Sequence, residues 1–393
     1  ADIYVINTCT VTAVGAQKSR QHIRRARREN PAAIVAVTGC LVQTEAEKIK
    51  RETGADLLVG NNHRSKIVEL AESVAKGKKA DAVDNILKVH EFEELGTVRS
   101  QSRVRANLKI EDGCNNFCTY CIIPYARGPV RSRSMDNIIK EAEALGRNGY
   151  GELVLTGIHI DSYGSDLNDG SSLADVIEKI HDIDGIRRIR LGSLEPVAVT
   201  PEFAERMKKL PKLCPQFHMS LQSGCGETLK RMNRHYTPEE YRRAAELLRE
   251  SLADTAITTD LMVGFPGETE SEFEESYNFC REVGFSQMHI FPYSVREGTA
   301  AAKFKNQIPD DIKHERVRIM LALADQMKKE FCGQYIGKTV SVLAEQKKKG
   351  GIHGTTANYM DVMIRDGSAE PGENVSVMLD GFENGCLTGK KLN

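Results

Sequence analysis

The chain lacks three features that would place it quickly in a broad class. No apolar stretch approaches the roughly 20 residues of a membrane-spanning helix, which excludes such a span. The formal net charge is −1, so RNA binding would have to come from local basic patches. Tryptophan is absent, and nothing about function follows from that. The 393 residues, 40% hydrophobic and 28% charged, are typical of a globular chain of two or three domains.

A secretory signal is also missing from the sequence, and this bears on its 10 cysteines. Without export, thiols stay reduced and a disulfide framework is not expected. We therefore expect a cytoplasmic protein without a membrane partner, whose thiols are available as metal ligands.

Three cysteines form a C-x3-C-x2-C run, which is the most informative feature of the chain. They are Cys114, Cys118 and Cys121. Three thiolates without a fourth cysteine nearby can hold three irons of a [4Fe–4S] cluster, whereas electron-transfer clusters normally have four protein ligands. A zinc knuckle would usually show C-x2-C pairs and four ligands. The spacing favours a catalytic cluster with one open iron.

Residues 1–76 alternate between strand-like and helix-like segments, a pattern that predicts a parallel α/β sheet. Cys9 and Cys40 each come just past a predicted strand. Functional residues of such sheets gather at the carboxyl ends of the strands. The two cysteines can therefore converge in space.

The rest of the chain divides into three predicted parts. Residues 77–104 are charged and without period, which indicates a linker with room for a short β-hairpin. Strand and helix alternate again over 105–335, with six strands and a closing helix from about Asp310 to Phe331. Six units are too few for a closed eight-stranded barrel, so a partial (β/α)6 barrel is predicted, with the cysteine run in the loop after its first strand. Residues 336–393 predict a small all-β barrel or sandwich, in which Tyr359 could stack on a base.

The motifs together resemble the methylthiotransferase family of radical S-adenosylmethionine (SAM) enzymes, over essentially the whole chain. They are Asn-Thr-Cys at 7–9, Thr-Gly-Cys at 38–40, the cysteine run within 113–128, Leu-Thr-Gly-Ile-His at 155–159, Met-Ser-Leu-Gln-Ser-Gly at 219–224 and Val-Gly-Phe-Pro-Gly-Glu-Thr at 263–269. The C-terminal module is similar to a TRAM domain. Tyr120 fills the aromatic position of the radical SAM signature.

The resemblance implies two [4Fe–4S] clusters and SAM as cofactors. Cys114, Cys118 and Cys121 would hold the cluster whose open iron SAM chelates. Cys9 and Cys40 would be two of three ligands of an auxiliary cluster, and the third is expected upstream of Ala1. A single-cluster radical enzyme is the alternative if no such cysteine exists.

Three substrates occur in the family: isopentenyladenosine in tRNA, threonylcarbamoyladenosine in tRNA, and an aspartate of a ribosomal protein. Asn115-Asn116-Phe117 and the 155–159 motif followed by Tyr163-Gly164 resemble the threonylcarbamoyl type. The implied reaction adds a methylthio group to C2 of that adenosine beside the anticodon. The partners would be a tRNA anticodon stem-loop and an electron donor such as flavodoxin or ferredoxin. A non-catalytic RNA-binding protein with structural clusters is a rival of another class.

Further site residues are expected from their positions. The candidates for SAM binding, most of them at strand ends of the barrel, are Tyr120, Gly157, Ser193, Glu195, Gln222 and Gly264. The candidates for contact with tRNA phosphates or a substrate carboxylate are Arg20, Arg24, Arg27, Arg28, Arg127, Arg131 and Arg133. The alternative for the first four is a solvated helix face. The cysteines without ligand spacing, assigned to core or surface, are Cys214, Cys225, Cys280, Cys332 and Cys386.

Overall fold

The computed structural model describes residues 1–10, 12–96, 104–365, 367 and 369–392. It contains two compact units. The first comprises Ala1–Val98, Glu111–Ser132 and Ser294–Phe304. The second comprises Arg99–Ile110, Arg133–Tyr293 and Lys305–Asn393. The cysteine run therefore groups with the N-terminal segment, whereas the C-terminal β-module groups with the barrel.

A three-stranded parallel sheet in the order β1–β2–β3 forms the centre of the first unit. Its elements are β1 (Ile3–Thr8), α1 (Ala13–Glu29), β2 (Ile34–Gly39), α2 (Cys40–Thr53), β3 (Leu57–Val59) and α3 (Ile67–Ala75). The central strand β2 is almost entirely buried, as expected of a parallel strand covered by helices on both faces. The predicted parallel α/β sheet is confirmed.

Residues that follow α3 add an edge to this sheet. Ala82 donates its backbone N–H to the Leu58 carbonyl at 2.9 Å and accepts from Gly60 at 2.7 Å, which makes a parallel bridge to β3. A short 3₁₀ helix follows at Ile86–Lys88. This part of the expected 77–104 linker is thus packed structure, and its contact with β3 is a parallel bridge instead of the expected hairpin. Residues 97–103 of the expected linker lie outside the described residues.

The chain next passes through the segment that carries the cysteine run. Its elements are β4 (Arg105–Lys109), β5 (Glu111–Asp112), α4 (Ile123–Arg127) and β6 (Arg131–Ser132). The strand β4 belongs to the second unit and the other three elements to the first. Antiparallel pairing of β5 with β6 joins Asp112 to Arg131 and closes the loop at its base.

Six strand positions make up the open barrel of the second unit. Its helices and strands are α5 (Met135–Arg147), β7 (Glu152–Thr156), α6 (Leu173–His181), β8 (Arg188–Leu191), β9 (Ser193–Leu194), α7 (Pro201–Met207), β10 (Gln216–Met219), α8 (Gly226–Arg231), α9 (Pro238–Ser251), β11 (Ala256–Val263), α10 (Glu270–Val283), β12 (Gln287–Pro292) and α11 (Asp310–Gly333). The sheets run β4–β7–β8 and β9–β10–β11–β12, and their strands pair in parallel. The third strand is interrupted at Gly192, which separates β8 from β9. The predicted partial barrel is confirmed.

A closed five-stranded barrel ends the chain. Its strands are β13 (Thr339–Lys348), β14 (Gly351–Thr356), β15 (Asp361–Ile364), β16 (Asn374–Glu383) and β17 (Cys386–Lys391), in the order β13–β14–β15–β17–β16. The barrel confirms the expected small β-module. Sequence patterns indicate β13, β15 and β16, whereas β14 and β17 are rich in glycine, threonine or lysine and carry a weaker strand signal. The exact boundaries of the expected domains stay predictions. Within the described residues, no helix combines the length and the apolar character that crossing a bilayer requires.

Candidate active site

The loop that carries the cysteine run is closed by tight backbone contacts. Gly113 has φ +91°, and a Cβ there would lie 1.9 Å from the Pro129 carbonyl oxygen, so only glycine fits. The Cys114 backbone N–H donates to the Gly128 carbonyl at 3.1 Å. These contacts bring both ends of the loop together around the three thiols.

Backbone amides point at the sulfur atoms inside this loop. The N–H of Asn116 approaches Cys114 Sγ at 3.5 Å, and the N–H of Ile123 approaches Cys121 Sγ at 3.4 Å. Hydrogen bonds to sulfur stabilise thiolates and tune iron–sulfur centres. A loop with three thiols and such donors fits a [4Fe–4S] cluster.

The two N-terminal cysteines lie at the same edge of the first sheet. Parallel pairing places Thr8 opposite Gly39, so Cys9 and Cys40 are the next residues of two neighbouring strands. Gly39 has φ +99°, and a Cβ there would lie 2.4 Å from the Thr8 carbonyl oxygen. This turn makes Cys40 the first residue of α2.

Side chains from two distant segments donate to Cys40. Arg127 Nε lies 3.2 Å and Asn61 Nδ2 lies 3.7 Å from Cys40 Sγ. Burial lowers the pKa of Arg127, but the charges of Asp112 and Cys40 raise it by more, so the pKa lies above its ordinary value. Asn61 is buried, and its Oδ1 has no hydrogen-bond partner among the described residues. Hydrogen-bond donors around the sulfur of Cys40 fit the ligand role expected for this residue.

Three arginines surround the buried carboxylate of Asp112. The nearest nitrogens of Arg127, Arg131 and Arg64 lie 3.1, 3.7 and 3.7 Å from Asp112 Oδ2. Arg131 is buried, and burial lowers its pKa. In the second unit Arg133 is also buried and pairs with Glu141. Internal pairing and burial argue against the phosphate contacts expected for Arg127, Arg131 and Arg133.

The basic helix α1 divides into structural and exposed arginines. Arg20 pairs with Glu45 and Glu52. Arg27 binds the carbonyls of Ala33 and Gly54 and the carboxylate of Asp56, so it ties α1 to the sheet. The side chain of Arg24 is 53% exposed and lies 3.8 Å from Glu52, and Arg28 is exposed. Arg24 and Arg28 therefore keep the expected RNA-binding role as a prediction, whereas Arg20 and Arg27 have structural partners.

The expected SAM ligands of the second unit lie at or just past the carboxyl ends of barrel strands. They are Gly157 after β7, Ser193 in β9, Glu195 after β9, Gln222 after β10 and Gly264 after β11. Gln222 is buried with φ +64°, a conformation that non-glycine residues adopt mostly at functional or constrained sites. A Cβ at Gly264 would lie 2.4 Å from Lys313 Cγ, so packing of α11 also explains this glycine. Tyr120 lies in the cysteine loop of the first unit. The ligand roles stay predictions.

The polar network around Glu195 adds two residues, Asp161 and Arg234, that the sequence analysis did not single out. Two nitrogens face Glu195 Oε1: Arg234 Nη2 at 2.9 Å and His159 Nε2 at 3.5 Å. The same histidine nitrogen lies 3.3 Å from Asp161 Oδ1. Against the effect of burial, His159 and Arg234 lower the pKa of Glu195. Burial raises the pKa of Asp161. Glu195 is thus held as a carboxylate, the form that a SAM amino or hydroxyl group would require.

The remaining cysteines have structural positions. Cys214, Cys225, Cys280 and Cys332 are buried, and Cys386 is partly buried. Burial raises the pKa of Cys214 to about 11, which keeps the thiol protonated. The assignment of these residues to core or surface agrees with the structure.

Comparison with known families supports this site. The model described as "Radical SAM superfamily" matches residues 108–280. The model described as "Uncharacterized protein family UPF0004" matches residues 1–60. The first match includes the cysteine run and most of the barrel, and the second includes Cys9 and Cys40.

Curated relatives match over almost the whole chain. The threonylcarbamoyladenosine tRNA methylthiotransferase MtaB of Bacillus subtilis (strain 168) is 42% identical, over 96% of this chain and 85% of the relative. The protein of the same name from Aquifex aeolicus (strain VF5) is 40% identical, over 96% and 91% of the two chains. The tRNA-2-methylthio-N(6)-dimethylallyladenosine synthase of Clostridium botulinum (strain Loch Maree / Type A3) is 35% identical, over 100% and 89%.

A solved structure shares the fold. The radical SAM methyltransferase TsrM from Kitasatospora setae, with cobalamin and a [4Fe–4S] cluster bound, superposes with a TM-score of 0.59 at 17% identity, over 74% of this chain and 64% of that chain. Such low identity supports the fold alone. Together with the full-length relatives, these findings show that the chain is an enzyme of the radical SAM methylthiotransferase family.

Proposed function

We propose that this chain transfers a methylthio group to C2 of N6-threonylcarbamoyladenosine next to the anticodon of tRNA. The observation that carries the proposal is the 42% and 40% identity to two threonylcarbamoyladenosine tRNA methylthiotransferases over 96% of the chain. The dimethylallyladenosine synthases have lower identity, at 35%. Isopentenyladenosine in tRNA is therefore the less favoured substrate for the same reaction.

Cys114, Cys118 and Cys121 would hold the cluster that binds SAM. Once bound, this cofactor pair supplies the radical chemistry that attack on an unactivated C–H bond requires. The protein's own contribution is placement: the backbone amides of Asn116 and Ile123 orient the sulfur atoms. In the second unit the carboxylate of Glu195, held by Arg234 and His159, would bind a polar group of SAM.

Cys9 and Cys40 would hold the second cluster together with a third cysteine. Support comes from their adjacent strand positions and from the donation of Arg127 and Asn61 to Cys40. An electron donor such as flavodoxin or ferredoxin and a cytoplasmic location belong to the same proposal, because reductive SAM cleavage needs a low-potential electron and tRNA is modified in that compartment.

Nucleoside mass spectrometry of tRNA, from cells with and without this gene, tests the function. We expect the 2-methylthio derivative of threonylcarbamoyladenosine to disappear and its precursor to accumulate. If that nucleoside is unchanged and the 2-methylthio derivative of isopentenyladenosine is lost, the substrate assignment is wrong. If neither changes, the tRNA assignment fails.

Matched cysteine variants separate the two proposed clusters. Purified Cys118→Ala should lose about four irons per chain and all SAM cleavage to 5′-deoxyadenosine. Cys40→Ala should also lose about four irons, yet it should still cleave SAM while forming no methylthio product. Cys386→Ala, remote in sequence from both motifs, should keep iron and activity. Retention of both clusters in Cys40→Ala would contradict the auxiliary assignment.

A further inference from the structure

A cavity of about 710 Å³ lies in the first unit next to residues of both cysteine motifs. Thr10, which follows Cys9, forms one wall, and Ile122 and Tyr125, which follow Cys121, form another. The early turns of α2 and the side chain of Arg296 complete the lining. A volume of this size suits a nucleoside-sized ligand.

Arg296 lines this cavity, and its guanidinium group is only partly hydrogen-bonded. The side chain belongs to a residue that is 9% exposed, and one guanidinium nitrogen donates to Thr10 Oγ1. Its Nε is buried without a hydrogen-bond partner among the described residues. A buried polar group without a partner costs about 1 to 3 kcal/mol, so the hydrogen bonds within the protein do not account for the whole guanidinium group of Arg296.

Three glutamates line the cavity: Glu45 and Glu297 lie near cations, whereas Glu47 has no ion pair among the described residues. Glu45 pairs with Arg20 and with Lys48, the latter at 3.4 Å. Glu297 is largely exposed and lies 3.8 Å from Lys48. Within the described part of the chain, Arg296 has no carboxylate at ion-pair distance. Lys48 also lines the cavity, but it faces Glu45 and Glu297. Among the described residues of the lining, Arg296 is therefore the cation better placed to bind an incoming anion.

The lining of the same cavity also includes an aromatic side chain, that of Tyr125. Tyr125 lines the cavity and is 45% exposed, and its ring meets Phe117 edge-on at 5.7 Å. Exposed aromatic rings are the usual stacking partners of unpaired bases in RNA recognition. Enzymes that act on a base must also take it out of its stack into a pocket.

We propose that this cavity receives the target nucleotide, with its base against Tyr125 and its anionic oxygens on Arg296. The oxygens are those of the threonylcarbamoyl carboxylate or those of the adjoining phosphate, since an arginine fork binds both. This inference rests on the proposed function. Arg296 would then bind the carboxylate, in place of Arg127, Arg131 and Arg133. The sequence offered no signal for this role of Arg296.

Binding of three anticodon stem-loop RNAs to the full-length Arg296→Gln variant tests the proposal. The RNAs carry adenosine, dimethylallyladenosine or threonylcarbamoyladenosine at the target position, and the dissociation constants are measured at one fixed salt concentration. Arg318→Gln is the matched control, because Arg318 is exposed and pairs with the neighbouring Glu315 on α11. We expect Arg296→Gln to weaken binding about 10- to 100-fold, the effect of losing a charged hydrogen bond, and Arg318→Gln to leave it unchanged.

The pattern across the RNAs identifies the anion. A loss confined to the threonylcarbamoyl RNA assigns the carboxylate to Arg296. An equal loss for all three RNAs assigns the phosphate. Unchanged binding of all three RNAs overturns the proposal.

Two further variants keep the test decisive if Arg296→Gln does not fold. Thr10→Val removes the hydroxyl that orients Arg296 and should give a smaller loss with the same pattern. Tyr125→Leu removes the ring and should weaken all three RNAs. If neither variant weakens any RNA, the proposal fails. If the wild-type chain binds an unrelated hairpin as well as the stem-loops, the proposed function itself fails, which separates the two results.

Discussion

Two buried carboxylates, one in each unit, are each surrounded by three arginines. Asp112 in the first unit faces Arg64, Arg127 and Arg131 at 3.1 to 3.7 Å. Glu152 in the second unit faces Arg190 at 2.9 Å, with Arg105 and Arg188 both at 3.7 Å. The two clusters have the same composition, so their other contacts decide what each one does.

The arginines of the Glu152 cluster reach the C-terminal barrel. Arg188 donates to the carbonyls of Thr355 and Ser341, and Arg190 lies over the ring of Tyr359 at 4.6 Å. In the Asp112 cluster, by contrast, Arg127 donates to Cys40 Sγ. The first arrangement joins two β-structures, whereas the second connects the two cysteine motifs. Within the described residues, Arg188 and Arg190 thus contact only groups that hold the second unit together. Arg127 differs because one of its partners is the sulfur of a cysteine motif.

The largest effect on stability is expected at Glu152. Glu152→Gln keeps the shape but leaves Arg188 and Arg190 without their buried counter-charge, whereas Arg105 keeps Glu345. The change should lower the free energy of unfolding by about 3 to 5 kcal/mol. Denaturant unfolding of the full chain measures this. Because Glu152 belongs to the second unit and the candidate cluster ligands belong to the first, the iron content of the folded protein should not change. Loss of iron in folded Glu152→Gln would break the distinction between the clusters.

The same carboxylate predicts a pH dependence. Burial opposes ionisation, but Arg190, Arg105 and Arg188 hold the pKa of Glu152 below its ordinary value of 4.5. A lowered pKa stabilises the fold above the unfolded-state value and loses that contribution as the pH falls below it. The difference in unfolding free energy between wild type and Glu152→Gln should therefore be constant from neutral pH to about pH 5 and shrink below pH 4.5. A difference that grows in acid would contradict this account.

Arg127 should show an intermediate effect, of a different kind. Arg127→Gln removes the charge and the Nε donor at Cys40. If the proposed auxiliary cluster is bound there, its retention should weaken about 10- to 100-fold and its reduction potential should fall. Chelator-challenged iron content and voltammetry measure the two quantities. Arg64→Gln is the matched control, because Arg64 also faces Asp112 but binds Glu93 rather than the sulfur. Equal effects of both variants would show that Arg127 acts only through Asp112.

The smallest effect is expected at Tyr359. Its ring lies under Arg190 and Arg105, at 4.6 and 5.6 Å, so Tyr359→Leu should cost about 0.5 to 2 kcal/mol of stability. Tyr359→Phe keeps the ring and should be nearly neutral. The contacts with arginine argue against the base stacking considered from the sequence, so RNA affinity should change little. A large loss of RNA affinity with unchanged stability would restore the stacking role.

Local patterns in the sequence are reliable where neighbouring residues decide the structure. Capping boxes form at Thr237 with Glu240 and at Thr269 with Glu272. Each involves only one helical turn, so its pattern of threonine followed three residues later by glutamate is visible in the sequence. The linker expected over 77–104 stays a prediction. The pairing of Ala82 with β3 within it had no signal in the sequence, because it joins backbone groups that are far apart along the chain.

By itself, the sequence determined the catalytic class, because the three thiols of the cysteine run are held by one short loop whose spacing is visible in the chain. It also determined that Cys9 and Cys40 follow two parallel strands. Only the tertiary structure decided which arginines are structural and which face a cavity or a sulfur. Arg127 lies 87 residues from Cys40 and Arg296 lies 286 residues from Thr10, and such pairs form only when distant segments pack. The sequence specifies where each arginine charge lies along the chain, but the tertiary structure determines which group that charge contacts.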